Sequence, residues 1–386
     1  MRKGAQMLLR VRVVAIVTLS TLVLPLKATA GPYEQGIAAL GAGDYAAALA
    51  QLRPLAAAGN ARAQSLMGLL YMSGRGVRKN DIEAAKWYQM AADQGDTSAQ
   101  YNLSEMYSEG RGVPKNTAES VRLLRAAADR GNVKAQLSLA FKYSGGVGVD
   151  KNDAEAAHWY QMAANQGDGT AQLNLGIMRR RGEGGHKDAA EAVRLFRLAA
   201  DQGGARAQAN LGIMYEHGEG VAKDLSEAVR WYRLAVGHGE ALAQLNLGAM
   251  YTRGEGVPKD AIEALRLFGL AADQGNATAQ LNLGMMYGSG QGVPKNDGEA
   301  LRFYRLAAAN GNSRGFAKIG LAYYEGAGVP KNDIQAYSWL SLAASAGDEN
   351  SRNVLNLISS DMNKEQISIA QSIASRCYKS DYRDCE

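Results

Sequence analysis

The chain has 386 residues, of which 46% are hydrophobic and only 7% aromatic, so it can bury a core but must pack that core largely with small side chains. It carries 43 Lys and Arg against 38 Asp and Glu, a net charge of +5. Five of the basic residues and none of the acids lie in residues 1–30, so the remainder carries 38 of each. A neutral remainder argues against charge-driven binding of nucleic acid or of an anionic membrane surface.

The first thirty residues have the pattern of a secretory signal peptide. A basic start precedes the apolar run of residues 13–26, and Ala28-Thr29-Ala30 is typical of a cleavage site with Gly31 as the mature start. The alternative is a membrane anchor, but a spanning helix needs about 20 apolar residues. We therefore predict an exported protein, periplasmic or secreted, with no membrane insertion after signal cleavage.

A unit of 36 residues recurs from residue 61 to residue 348 without insertion or deletion, which gives eight copies. The copies begin at Ala61, Thr97, Val133, Gly169, Ala205, Ala241, Ala277 and Ser313. A fixed period of this length indicates a solenoid, because one unit cannot bury its own apolar face without neighbours. In the copy at Ala277, two segments of helical apolar spacing flank Gly290, Gly292 and Pro294. The pattern predicts an all-α solenoid of helix-turn-helix repeats.

The start of the second helix is marked in every copy. Asn or Asp is followed three residues later by Glu or Gln, as at Asn296 and Glu299. This spacing is typical of a capping box, in which each side chain bonds the other residue's backbone N–H. We therefore expect these recurring carboxylates to have a structural role and not a catalytic one.

The motif A-x-A-Q-x-N-L-G-x-M-Y-x-x-G-x-G-V-P-K-D stands nearly complete at residues 243–260 and 279–296. By this motif and its period, about three quarters of the chain resembles the Sel1-like repeat family, a relative of the tetratricopeptide repeat. The resemblance implies a right-handed α/α superhelix with a concave, partner-binding surface. It specifies a fold more closely than a function, because members serve as adaptors in unrelated processes.

Both ends of the repeat array look like caps. Residues 31–60 read as an N-terminal half-repeat, and residues 349–386 as a C-terminal helical cap. The tail holds the only two cysteines, Cys377 and Cys385. In an oxidising compartment a local disulfide is expected. A metal site is the alternative, but two thiols without a nearby His make a poor ligand set.

The outward face of the first helices is the candidate partner-binding surface. It contains the second, third and sixth residues after the recurring Ala of each copy. The candidates are Tyr101, Asn102, Glu105, Leu137, Phe141, Leu173, Asn174, Ile177, Asn210, Ile213, Asn246, Asn282 and Met285. An apolar strip beside a row of Asn suits an extended peptide or a partner helix. The alternative is that the apolar residues pack between repeats and the Asn side chains bond neighbouring helices.

The fourth copy departs from the others. Arg179 and Gly185 stand where other copies have Tyr and Val, and Arg179-Arg180-Arg181 ends the first helix. Because the fourth copy lacks the Tyr and the Val that we expect to be buried in the other copies, we predict that this repeat is packed less tightly. A drifted repeat, a hinge and a local basic contact are the three interpretations.

Residue patterns of catalysis are missing from the sequence. The four histidines, His158, His186, His217 and His238, occupy unrelated repeat positions, and the S-x-x-K pattern of penicillin-recognising enzymes does not occur. We expect no enzyme activity, no metal, no cofactor and no nucleic-acid partner. The predicted function is that of a monomeric exported scaffold, which binds a protein or peptide in a concave groove and regulates a periplasmic or envelope partner. Alternatives are a secreted factor that binds a host protein and a cell-wall-active or β-lactam hydrolase.

Overall fold

The computed structural model describes residues 30–380, Tyr382 and Cys385. The expected signal peptide, except for its last residue Ala30, therefore lies outside the described residues. Within this part of the chain all regular structure is α-helical, and no strand is formed. The chain divides into two compact units, Met1–Gln94 and Gly95–Glu386.

The described part of the first unit contains four helices. They are α1 (Pro32–Gly41), α2 (Tyr45–Ala57), α3 (Ala61–Ser73) and α4 (Asp81–Asp93). The first two occupy the segment predicted as an N-terminal half-repeat, and the other two form the first full repeat. Their shared core includes Leu52, Met67 and Leu70, and each helix packs against the next one along the chain.

The second unit contains sixteen helices in its described part, of which fourteen form seven further repeats. These fourteen are α5 (Thr97–Glu109), α6 (Thr117–Asp129), α7 (Val133–Gly145), α8 (Asp153–Asn165), α9 (Gly169–Arg181), α10 (Ala189–Asp201), α11 (Ala205–His217), α12 (Leu225–Gly237), α13 (Ala241–Arg253), α14 (Ala261–Asp273), α15 (Ala277–Ser289), α16 (Asp297–Ala309), α17 (Ser313–Glu325) and α18 (Asp333–Ser345). Each is 13 residues long, as a period without insertions requires. The predicted all-α repeat fold is confirmed.

Two glycines shape the loop between the helices of a repeat, as α15 and α16 illustrate. Gly290 ends α15 with a φ of 73°, a left-handed conformation that costs glycine little. Gly292 has a φ of 78°, and a Cβ there would lie 2.8 Å from the carbonyl oxygen of Ala261 in the preceding repeat. The second glycine therefore lets the loop lie directly on the start of α14.

A buried glutamine joins three consecutive helices at the start of most first helices. In α7, Gln136 is fully buried, and its Nε2 donates to the carbonyl oxygen of Ala128 in α6 at 3.0 Å. Its Oε1 accepts from Nε2 of Gln166, just after α8, at 2.8 Å. Gln172 of α9 repeats both bonds, to Ala164 and from Gln202. Because a buried amide without partners is costly, these bonds fix how far the helices are shifted along one another.

Half of the expected capping box forms in the repeats. At α16, Asn296 Oδ1 accepts from the backbone N–H of Glu299 at 3.0 Å, and the same bond caps the second helix of every repeat. The Glu299 carboxylate is paired with Arg302 at 2.9 Å, whereas the backbone N–H of Asn296 donates to the carbonyl oxygen of Tyr287. The expected reciprocal bond is therefore replaced, because the first helix of the same repeat already accepts from the cap N–H.

Two helices follow the last repeat, α19 (Glu349–Asp361) and α20 (Lys364–Lys379). The complete capping box occurs here, where Asn363 and Gln366 bond each other's backbone N–H groups at 2.9 Å. A disulfide joins Cys377 to Cys385, and both sulfur-bearing residues are buried. Phe316, which replaces the buried glutamine in the eighth repeat, has its ring 4.6 Å from that of Tyr382. An apolar contact to the C-terminal segment thus replaces the polar link.

We expect the two halves of the cap to differ in stability. Asn296→Ala removes the only cap acceptor and should lower the free energy of unfolding by about 1 kcal/mol. Glu299→Ala loses one exposed ion pair and should cost about 0.2–0.5 kcal/mol. Urea unfolding followed by circular dichroism measures both changes. Gln366→Ala is the matched control, because it removes a real reciprocal bond and should cost more than Glu299→Ala. An equal loss for Glu299→Ala and Asn296→Ala would contradict this account.

Candidate protein-interaction face

The outward side chains of the first helices form one face along the second unit. Neighbouring first helices are linked across it, since the Tyr101 hydroxyl bonds Ser138, and Arg253 of α13 lies 3.1 Å from Glu216 of α11. The face contains the third, sixth, ninth and tenth residues after the recurring small residue, which is Ala171 in α9. We call this surface, from α5 to α17, the first-helix face.

The residues of the predicted apolar strip differ in how deeply they are buried. Second-position residues are packed between repeats, since Tyr101 and Leu137 contact one core cluster and Leu173 contacts the next. Sixth-position residues reach solvent to a greater extent. Phe141 is 49% exposed and Met285 39%, while Glu105, Ile177 and Ile213 are half-buried. The sixth position therefore supplies the accessible apolar surface.

The asparagines have different surroundings along the face. Asn210 is buried, and its amide donates to the carbonyl oxygen of Arg206 in its own helix at 2.8 Å. Asn174 makes the same bond to Thr170, and Asn246 donates to the Tyr232 hydroxyl at 3.4 Å. The remaining two predicted asparagines, Asn102 and Asn282, are half-buried. Three of the five amides thus serve the fold's own hydrogen bonds, but only Asn246 bonds a neighbouring helix, as the alternative interpretation expected of all of them.

Two cavities open on the first-helix face. The larger, of about 720 Å³, lies between α13, α15 and α17 and is lined by Asn282, Met285 and Leu321. Gly288 leaves its floor open, because a Cβ there would meet only the Tyr304 hydroxyl and Ala300 Cβ at 3.4–3.5 Å. Burial raises the pKa of Tyr304, and the charge of Asp297 adds to the shift, so this phenol stays protonated and polar at neutral pH.

The smaller cavity, of about 490 Å³, lies in the fourth and fifth repeats. Its apolar wall contains Ile177, Ile213 and Leu242. Its charged residues are Arg180, Arg181, Lys187, Arg206 and Glu219. Arg180 Nε lies 2.7 Å from Glu219 Oε2, and this hydrogen bond is the main cause that lowers the pKa of Glu219. The cavity is thus cationic, with four basic side chains against one carboxylate.

The fourth repeat keeps the backbone of its neighbours despite its substitutions. The Arg179 carbonyl accepts from the cap N–H of Asp188 at 2.8 Å, as the Tyr carbonyl does elsewhere. A Cβ at Gly185 would lie 3.1 Å from Arg179 Nη1, so the guanidinium occupies the space beside the missing Val side chain. The two departures therefore compensate each other locally, which the sequence did not reveal.

Glu216 on α11 is a largely buried carboxylate that has two partners. Glu216 Oε2 accepts from the Tyr232 hydroxyl at 2.7 Å, and its Oε1 lies 3.1 Å from Arg253 Nη2. Burial is the main cause that raises the pKa of Tyr232, with the bond to Glu216 adding to it. Because both partners hold it, Glu216 is a fixed part of the face and not an adaptable contact.

Sequence reasoning left the ninth and tenth residues after the recurring small residue out of the candidate face, although it gave a local basic contact as one interpretation of the fourth copy. These positions carry Arg180 and Arg181 in α9 and Arg253 in α13, and they line both cavities. Both positions differ between copies, so no recurring pattern marks them. The helical period could have identified them, because residues three, seven and ten apart share a face. Among the described residues, no cluster of His, Cys, Asp and Glu suits a metal ion, and no helix has the length and apolar character to span a membrane.

Two glycines one turn apart in α15 should respond oppositely to the same substitution. Gly284→Ala would place a Cβ 2.5 Å from the Tyr304 ring and should destabilise the chain by about 1–3 kcal/mol. Gly288→Ala meets only ordinary contacts and should stabilise it by about 0.5–1 kcal/mol through helix propensity. Thermal and urea unfolding measure both. Similar shifts in the two variants would contradict the described packing of Tyr304 beneath the cavity.

The chain matches the family model described as Sel1 repeat eight times, at residues 61–96, 97–132, 133–168, 169–204, 205–239, 241–276, 277–312 and 317–348. It is similar to c5321, a protective antigen that is present in uropathogenic Escherichia coli strains and displays an SLR fold. The two sequences are 30% identical, the TM-score is 0.66, and the match covers 91% of this chain and 84% of c5321. It is also similar to a Sel1 repeat protein from Oxalobacter formigenes, with 29% identity and a TM-score of 0.66 over 87% and 98%. The search of curated proteins gave no match.

The eight matched segments correspond to the eight predicted copies, although the fifth match ends at residue 239 and the eighth begins at residue 317, and together they cover more than half of the chain. The chain therefore belongs to the Sel1 repeat family.

Proposed function

We propose that this chain is an exported, non-catalytic scaffold that binds a protein partner along the first-helix face and regulates it. Sel1 repeat proteins generally mediate protein–protein interaction. The observation that carries the proposal is the row of accessible sixth-position side chains beside two cavities. Phe141 and Met285 on this face are exposed and lie outside the buried core that holds the repeats together.

The larger cavity supplies an anchor site for the partner. At about 720 Å³ it can admit a bulky apolar side chain, and Met285, Met286 and Leu321 give it a deformable apolar lining. Buried anchors of this kind carry most of the affinity at protein interfaces, whereas the surrounding polar contacts exclude water. Asn282 at the same cavity can bond the partner's backbone without reading its sequence.

The partner's compartment follows from export. A periplasmic or envelope protein is the first candidate, because a cleaved signal peptide delivers the chain there. The similar protein c5321 is a protective antigen of uropathogenic strains, which favours a secreted factor that binds a host protein as the second candidate. Both candidates use the same face, and they differ in where the partner is found.

Export predicts a defined mature chain. When the full chain is expressed in a Gram-negative host, we expect the periplasmic protein to have the intact mass of residues 31–386. The double variant Ala28→Leu with Ala30→Leu should remain unprocessed, because signal cleavage needs small residues at these two positions. Thr29→Leu is the matched control and should be processed normally. An unprocessed wild-type chain in the membrane fraction would contradict export by cleavage.

Loss of the accessible apolar side chains should abolish partner capture. We expect crosslinked pull-down with mature wild type to recover a partner from the envelope fraction or from host material. The double variant Phe141→Ala with Met285→Ala should lose most of it, because two interface anchors are removed. Mass spectrometry of the crosslinked species measures the capture, and circular dichroism checks the fold.

The matched control carries Leu198→Ala with Leu234→Ala. These two side chains lie on second helices and are 40% and 42% exposed, close to the values for the first-helix pair. The control should capture the partner as the wild type does. Retention by the first-helix variant and loss by the control would move the interface to the second helices and contradict the proposal.

A further inference from the structure

We infer that the cationic cavity of the fourth and fifth repeats binds a carboxylate-rich segment of the partner protein, with an apolar side chain of that segment between Ile177 and Ile213. The inference rests on the proposed function and adds the chemistry of the bound segment. It also assigns the divergent fourth repeat the role of a local basic contact.

The charge of the residues that line the smaller cavity favours an anionic ligand. Four cationic side chains and one carboxylate line the cavity. Arg180 is held by Glu219, and Arg181 Nη1 lies 3.5 Å from Glu183 Oε1. Lys187 and Arg206 are exposed, and neither has a carboxylate within 4.0 Å in the part of the chain that the structure describes. Glu219 offsets part of the Lys187 charge, but the four cations outnumber the one carboxylate of the lining, so the cavity attracts an anionic ligand.

The wall of the cavity indicates which kind of anion fits. Ile177 and Ile213 pack against the core from their half-buried positions, so they form a firm apolar surface beside the cations. A small inorganic anion would leave this apolar surface exposed to water, whereas a peptide with alternating acidic and apolar side chains would contact both the cations and the apolar surface. No aromatic side chain lines this cavity for stacking on a base, which disfavours a nucleic acid. The site therefore suits an acidic protein segment.

The larger cavity provides an internal comparison. Its basic residues are Arg253, Lys295 and Lys318, and its acidic residues are Asp297 and Glu325. Arg253 is paired with Glu216, and Lys295 lies 3.1 Å from Asp297. Charges here are nearly balanced, so attraction to carboxylates should be confined to the fourth and fifth repeats. A variant at the larger cavity can thus serve as a control of equal charge change.

The experiment uses two synthetic peptides of about twelve residues, long enough to span both repeats when extended. One alternates Glu and Asp with Leu, and the other replaces every Glu by Gln and every Asp by Asn. Fluorescence anisotropy measures their binding to mature residues 31–386 at low and at physiological salt. We expect the acidic peptide to bind about tenfold more tightly than the amide peptide, and the difference to shrink as salt screens the charges.

The variants locate the binding. Lys187→Gln with Arg206→Gln should weaken acidic-peptide binding about five- to tenfold, since each exposed ion pair contributes at most a few-fold. Lys295→Gln with Lys318→Gln removes the same charge from the balanced cavity and should change binding less than twofold. Equal weakening by both pairs would show general charge attraction and overturn the inference. Equal binding of the acidic and amide peptides would also overturn it.

The captured natural partner separates this inference from the proposed function. If the Phe141→Ala with Met285→Ala variant loses the partner while Lys187→Gln with Arg206→Gln keeps it fully, the scaffold proposal stands and the acidic segment does not. If both variants lose the partner and the Lys295→Gln with Lys318→Gln control keeps it, the inference is supported on the natural ligand.

Discussion

The positions of most repeat helices in the second unit depend on a buried glutamine amide that bonds neighbouring helices. Gln136 bonds backward to the end of α6 and is bonded in turn by Gln166 after α8. Sliding any of these helices by one turn would break both bonds inside the core, where an unsatisfied amide costs about 1–3 kcal/mol. Apolar packing on alanine alone would tolerate such slippage, because small side chains offer few distinct ridges. The glutamine thus fixes the relative positions of the helices, and the alanines let the helices approach each other closely.

Fixed helix positions make the first-helix face possible. Since every repeat presents its sixth, ninth and tenth residues at the same height, these positions can change without disturbing the glutamine links behind them. The fourth repeat illustrates this freedom. Arg179 lies beside Gly185 and still accepts the cap N–H through its carbonyl, while Arg180 and Arg181 give the face its cationic cavity. Variation in one repeat therefore alters local charge and leaves the fold intact.

The sequence pattern of a capping box predicted only one of its two hydrogen bonds correctly in the repeats. Asn296 and Glu299 have the spacing of a capping box, and the cap half forms as predicted. The other half depends on whether the cap N–H lacks a partner, and Tyr287 in the preceding helix provides one. That carbonyl is supplied by the fold of the repeat and not by the local sequence. At Asn363, where no such helix precedes, the full box forms.

The sequence by itself determined the two helices of each repeat and the eight copies, because a strict 36-residue period, glycine loops and cap residues are local signals that every copy repeats. Helical periodicity also placed Phe141 and Met285 on the outward side of the first helices, where both are exposed. Only the tertiary structure decided that Asn210 is buried and that Gly288 opens a cavity above Tyr304. It alone brought Lys187 and Arg206 together beside Ile213. These features depend on distances between side chains of different helices, which a one-dimensional pattern does not specify.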